Sequence, residues 1–359
     1  MKRTLFRLII LLIPLGVKSQ NISAFTDYQG KLHVIEGNND RQIYHLPVLE
    51  FKVSNEYLLY EDQNHNLKSY SKGSTGIVCA NIISDLETTD YLSAYKVSDQ
   101  LYVYDGSSSR LLTPNVGSFS LSDSLVIYYD TRLKQSFIYY SKQKYEVQGA
   151  PLNMFVDNIQ IGANMVAYID RNQNLVAFYR GSFSVVTELM KGTNYKIGQD
   201  ILAYIHPETG AMMGYRNLES FEIDPFSPKS YEVGDDRVLF INSIGELKIT
   251  KNGFTHLLDY SEPDGYIIKD SIAIYWLNER WFVVDGFKTK QLEQYIPDTV
   301  FLDDGNLCYQ DNIGQIYSYK MGGEKIKVSG QGSGIISLNG NLLLYNGRGV
   351  NDTKFVSIK

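Results

Sequence analysis

A polar side chain able to hold a cation or a basic partner recurs along the chain at multiples of about thirty-five residues. The positions are Asp27, Asp62, Asp130, Asp170, His206, Asn242 and Asp311. Brought together as a ring, carboxylates at equivalent loops would bind an ion or grip a positively charged surface. A short Asx side chain also bonds the backbone of its own turn, and the turn-rich surroundings favour that use. No Asp-x-Asp-x-Asp-Gly calcium loop occurs. The five histidines, His33, His45, His65, His206 and His256, show no His-x-x-x-His spacing, and Cys79 and Cys308 form no Cys-x-x-Cys pair. No metal site is therefore expected. Gly330-Gln331-Gly332-Ser333-Gly334 lacks the lysine and the strand-to-helix setting of a phosphate loop, and there is no Gly-x-Ser-x-Gly elbow. Asp235-Asp236 and Asp303-Asp304 sit where turn propensity accounts for paired carboxylates without acid–base catalysis. The expectation is a protein with no catalytic residues, no cofactor and no enzyme activity.

Tyr275-Trp276-Leu277-Asn278-Glu279-Arg280-Trp281 holds both tryptophans of the chain. Trp281 falls on the core side of a strand. Trp276 falls on the other and is expected exposed beside Arg280, a pairing suited to a protein interface. Trp276, Arg280, Asp62, Asp130 and Asp170 are the expected partner-binding residues, because all lie at or beside loops at one end of a repeated unit.

Those loops belong to a repeat. Apolar runs end in an aromatic at Phe25, Tyr60, Tyr95, Tyr128, Tyr168, Tyr204, Phe240, Tyr275, Tyr309 and Tyr345, a period of about 36 residues. The unit between Ser230 and Tyr260 divides into four short apolar segments, Tyr231 to Val233, Arg237 to Ile241, Glu246 to Thr250 and Phe254 to Leu258, parted by Gly, Asp and Asn turns. Asn252-Gly253 supplies the positive φ angles of a tight hairpin, as do Asp105-Gly106, Arg180-Gly181 and Asp285-Gly286 elsewhere. Each unit reads as a four-stranded antiparallel meander, and one meander cannot bury both faces alone. The predicted fold is all-β, a β-propeller of about ten short units. Two five-unit rings divided near Gln148-Gly149-Ala150-Pro151 are the alternative.

The order of strands and turns resembles the blades of WD-repeat and TolB-like propellers over nearly all of the chain, without the Gly-His and Trp-Asp signatures. The first unit starts at its second strand and the last stops after its third. Either the terminal strands complete one shared blade or two sheet edges stay open.

Lys2, Arg3 and Arg7 precede the apolar run Leu8 to Leu15, with Val17 and Ser19 as small residues before a cleavage point. This is the pattern of a secretory signal peptide over residues 1–19, leaving 20–359 as the propeller. The chain carries 34 basic and 40 acidic residues, and loss of the leader brings the charge to about −10, which disfavours nucleic acid and anionic lipid. Both cysteines are expected reduced and buried. Lys18-Ser19-Gln20 and the Tyr/Asn-rich composition resemble exported proteins of the Bacteroidota. That resemblance implies a periplasmic or surface propeller that binds an envelope or outer-membrane protein as a monomer within a complex, as does the plug subunit of the type 9 secretion translocon. A glycan-binding or glycan-cleaving propeller is the alternative; it needs carboxylates of separate blades converging on a central channel.

Overall fold

The computed structural model describes residues 22–37, 39–149, 159–190, 192, 194–347 and 353–358. The expected leader and the Ala150-Pro151 link lie outside them. The chain forms ten antiparallel sheets in sequence order, eight of four strands and two of three. We call them blades 1 to 10. In blade 7 the strands are Ser230–Val233, Arg237–Ile241, Leu247–Lys251 and Phe254–Asp259, within a residue of the segments read from the sequence. Alternation puts Val238 and Phe240 against blade 6 and Leu239 and Ile241 against blade 8. Asn252 (φ 53°) and Gly253 (φ 77°) make the tight turn to the outermost strand.

The second strand of every blade is the packing element. Tyr60, Tyr95, Tyr128, Tyr168, Tyr204, Phe240, Tyr275 and Tyr309 are all buried, each in a core shared with the preceding blade. Leu125, Ile127 and Ile138 of blade 4 share one core with Val166, Tyr168 and Phe178 of blade 5. There is thus no division at that link, and one ring replaces the two-ring alternative.

Closure differs from the shared-blade arrangement. Blade 1 comprises β1 (Ile22–Thr26), β2 (Lys31–Glu36) and β3 (Asn39–Pro47), equivalent to the second, third and outer strands of a full blade. Blade 10 has the inner, second and third strands Gly334–Asn339, Leu342–Asn346 and Thr353–Ser357. The two sheets remain separate. They meet through Ile35, Leu342 and Leu344, with Phe25 and Phe355 alongside, and through Asn339 Nδ2 donating to the Ile22 carbonyl at 2.5 Å. Phe25 and Tyr345, the anchors of these two blades, are the only ones left half-exposed.

At one end of the ring the turns between inner and second strands are stitched to one another. Ser54 Oγ and the Asn55 amide donate to the Asp90 carbonyl (2.6 and 3.1 Å), and the Asp90 amide donates to Asp123 Oδ1 (3.2 Å). The Ser122 and Ser124 hydroxyls donate to the Ala163 carbonyl. The amides of Asn164, Asp200 and Asp235 donate to the carbonyls of Gln199, Asp235 and Asp270 (3.1, 3.0 and 2.8 Å). The Asp304 amide reaches Asp270 Oδ2 (3.0 Å) and the Gly340 amide Asp303 Oδ2 (2.6 Å). Blades 2 to 10 are so joined by a collar of hydrogen bonds. Its closeness dictates glycine at two positions: a Cβ on Gly162 or Gly198 would lie 1.7 Å from the carbonyl oxygen of Gly198 or Gly234.

Candidate docking face and channel mouth

Antiparallel alternation places the turns between second and third strands, and the links from each outer strand to the next blade, at the end of the ring opposite the collar. In these loops the ordinary placement of side chains is reversed: the polar residue is inside and the apolar residue outside. Asp62 is buried and accepts the amides of Asn64 and Asn66 (both 2.9 Å), with Lys68 Nζ at 2.8 Å. These partners hold its carboxyl down at about 2 against the opposing effect of burial. Asp130 accepts from Thr113 Oγ1 (2.6 Å) and the Leu133 amide (2.8 Å), and Asp170 from the amides of Asn172 and Asn174 (both 2.8 Å). Each carboxylate bonds its own turn, as the Asx reading expects, and Asp130 also ties in Thr113 at the end of blade 3.

What these caps present is apolar. Asn242 Oδ1 takes the amides of Ile244 and Glu246 (3.2 and 2.8 Å) and holds Ile244 outward, 75% exposed. Asp311 does the same for Ile313, Asp224 for Phe226, and Asp130 for Leu133. Asp27 and Asp259 bracket Tyr28 and Tyr260 by bonding the amides of Gln29 and Ser261. Ile82, Leu189 and Ile296 stand exposed on the links of other blades. The face is therefore a crown of apolar tips on stiff turns. Sequence reasoning found the loops and singled out their capping residues, and it did not read the apolar residues beside them. The overlooked sign was an apolar residue in mid-turn, as in Asn242-Ser243-Ile244-Gly245 and Asp311-Asn312-Ile313-Gly314.

Trp276 is half-buried, not exposed. It pairs with Gly265 and Trp281, and its ring lies so close over Gly265 that a Cβ there would come within 2.2 Å of Trp276 Cζ2. Alternation holds, but the other face of the strand is covered too: Trp276 packs with Ile272 and Ile274 against Leu307 and Tyr309 of blade 9. Trp281 is buried, as expected, and Arg280 is exposed. The five expected binding residues thus lie in blades 2, 4, 5 and 8 at the same end of the ring, and only Trp276 and Arg280 share a blade. Cys308 is buried, while Cys79 is half-buried on an outer strand, where the blade has solvent on one side; neither is in a disulfide. Among the described residues no cluster of three or more His, Cys, Asp and Glu side chains suits a metal ion.

At the collar end the central channel opens through a cavity of about 350 Å³ lined by Asp90, Tyr91, Asp123, Asp235, Asp270 and Asp304 from blades 3, 4, 7, 8 and 9. Burial pushes the carboxyls of Asp90 and Asp235 up to about 7, and repulsion adds to it, from Asp123 on Asp90 and from Asp270 on Asp235. Asp270 and Asp304 are raised by the same causes. The mouth is a ring of acids that resist losing their protons together.

A closed ring of ten such sheets defines a ten-bladed β-propeller. Residues 16–352 match the family described as the 10-bladed beta propeller domain, and the chain belongs to that family. No curated protein matches it. Among solved structures it is similar to Prp20p of Saccharomyces cerevisiae (10% identity, 85% of this chain and 81% of that one, TM-score 0.36). It is also similar to the CRINKLY WD40 ectodomain of the Arabidopsis thaliana receptor kinase ACR4 (10% identity, 67% and 93%, TM-score 0.32). A third is the computationally designed Ika8 protein (13% identity, 77% and 94%, TM-score 0.34).

Proposed function

We propose that this protein is a non-enzymatic docking module that seats one face of its ring on another protein, and that it works in the cell envelope as a single copy within a complex. The observation that carries the reading is the crown of tips. Ile244, Phe226 and Tyr260 are 75%, 64% and 80% exposed on rigid turns, and apolar surface gathered on one face of a soluble protein marks an interaction site. Stiff turns lose little freedom on docking. The leader-like N-terminus and the negative charge favour an exported protein that meets an envelope or outer-membrane partner. A ring of tips around a central channel suits the rim of a pore, so plugging or regulating a secretion pore is the specific role we assign. Among the described residues no helix is long and apolar enough to cross a membrane, so the attachment runs through the partner. Affinity isolation of the tagged protein from native envelope is expected to recover a stoichiometric partner that is lost when Phe226, Ile244 and Tyr260 are changed to serine. Recovery of the protein in the cytosol, or a partner indifferent to those changes, refutes the reading.

The acidic mouth favours a second reading, a glycan-binding or glycan-cleaving site. Carboxylates from separate blades face one cavity, and Tyr91, 54% exposed, offers a ring for a sugar to stack on. Glycan-array binding abolished by Tyr91→Ala would support it, and an array blank for the intact protein would remove it.

A further inference from the structure

In nine blades an inner strand pairs with the second strand, and each sets an apolar residue opposite the aromatic anchor: Phe51 against Tyr60, Leu86 against Tyr95, Tyr266 against Tyr275, Val300 against Tyr309, and likewise in the rest. Blade 1 has the anchor, Phe25, but among the described residues nothing pairs with the inner edge of β1. The Asp27 amide bonds the Lys31 carbonyl (3.0 Å), so by alternation Ser23 and Phe25 bond β2, while Ala24 and Thr26 turn their N–H and C=O groups to the open side. Their equivalents in blade 3, Ala94 and Lys96, pair with Glu87 and Asp85 of the inner strand. Along the open edge runs a cavity of about 660 Å³, lined by Ala24, Phe25 and Thr26, by Phe51 of blade 2 and by Ile336 of blade 10. Ile336 is 40% exposed and stands at the irregularity in its own strand. Asp27, Asp40 and His33 close one end of the cavity.

We propose that this edge receives an extended segment of another polypeptide, which completes blade 1 by strand addition. The incoming strand runs antiparallel to β1, sets a large apolar side chain opposite Phe25, and carries a positive group at its N-terminal end, beside Asp27 and Asp40. The chain's own sequence is a poor fit for the place. In eight of the nine blades the apolar residue stands nine positions before the anchor, and here that position is Gly16, within the expected leader. The open edge of β1 faces the channel and the slot reaches the crown only at Asp27 and Tyr28; the backbone of Ala24 and Thr26, which the test reads, is separate from the tips Phe226, Ile244 and Tyr260, so the two proposals stand or fall separately.

The test uses the chain as isolated, its N-terminus read by mass spectrometry, and a synthetic peptide consisting of residues 49–54, the inner strand of blade 2, preceded by lysine. The Ala24 and Thr26 amides are expected to exchange freely in the protein alone and to slow by about tenfold or more when the peptide is bound. Ala24→Pro, which removes one edge donor, and a peptide with serine for its phenylalanine should each weaken binding by about tenfold or more. A peptide N-methylated at the two residues flanking its phenylalanine should not bind, and this arm decides the matter if Ala24→Pro fails to fold. Absence of binding at about 1 mM peptide overturns the proposal, as does indifference to N-methylation. Ala24 and Thr26 amides already protected without peptide also overturn it, because the chain then fills its own slot.

Discussion

The reversed loops make a prediction in which stability and binding come apart within one turn. Asn242 is buried and holds the amides of Ile244 and Glu246, with its own amide on Glu246 Oε2 at 2.8 Å. Asn242→Ala strands those groups and should cost about 1–3 kcal/mol of folding stability, seen as a fall in Tm of a few degrees. Ile244→Ser, two residues on, removes a side chain already 75% in water and should leave stability within about 0.5 kcal/mol. Its effect falls on docking. Full burial of such a side chain is worth about 1.5–3 kcal/mol, most of which is still to be gained, so the partner's Kd should rise by about five- to thirtyfold. Changing Phe226, Ile244 and Tyr260 together should raise it by about two to four orders of magnitude. Thermal unfolding and titration calorimetry on the same samples read both effects. If Ile244→Ser lowers Tm as far as Asn242→Ala does, or if the triple variant binds the partner as before, the assignment of cap and tip is wrong.

Gly198→Ala should be among the most damaging single-methyl changes, costing about 3 kcal/mol or more, because the new Cβ would sit 1.7 Å from the Gly234 carbonyl oxygen; an unchanged Tm would show that the collar is looser than described. The carboxyls of Asp90 and Asp235 are raised in the folded protein from 3.8 to about 7, so the folded state binds protons more tightly than the unfolded one, and stability should fall as pH rises from about 4 to about 7 and level off above. The double variant Asp90→Asn, Asp235→Asn should flatten that slope in a Tm-against-pH series, and an undiminished slope would exclude the mouth as its source. Cys79 should react with a thiol reagent in the native protein. Cys308, whose thiol burial pushes up to about 12, should react only after denaturation, and equal labelling of the two would contradict their placement.

Blade number and strand order were legible because each anchor aromatic ends an apolar run and polar turns, several with Asn-Gly or Asp-Gly, part the runs; both are local and survive without signature motifs. That the described residues begin with a second strand and end with a third was legible for the same reason. Closure was not, since separate sheets and a shared blade are compatible with the same strand count and differ only in contacts between Ile35 and Leu344, far apart in sequence. The site was half legible. Asp62, Asp130 and Asp170 announced side chains that bond their own turns, as they do, but Ile244 read simply as a turn residue, because which neighbour a cap turns outward depends on three-dimensional geometry. The acidic mouth was hidden because Asp90, Asp235 and Asp304 meet only when blades far apart in the chain close into a circle.

The way the ring is closed also sets how it bears load. Both described ends, Ile22 and Ile358, belong to the blades at the joint held by the small Ile35, Leu342 and Leu344 core and the Asn339 bond. Tension applied between the ends pulls on that joint before any other, and among the described residues no strand of one blade is hooked into the sheet of the other to resist it. Once it parts, the circle becomes a line whose blades come away one after another, each releasing about 36 residues, or about 120 Å of contour. Such a molecule yields at a defined place and lengthens in even steps, as a latch does and a clasp of interlocked strands does not.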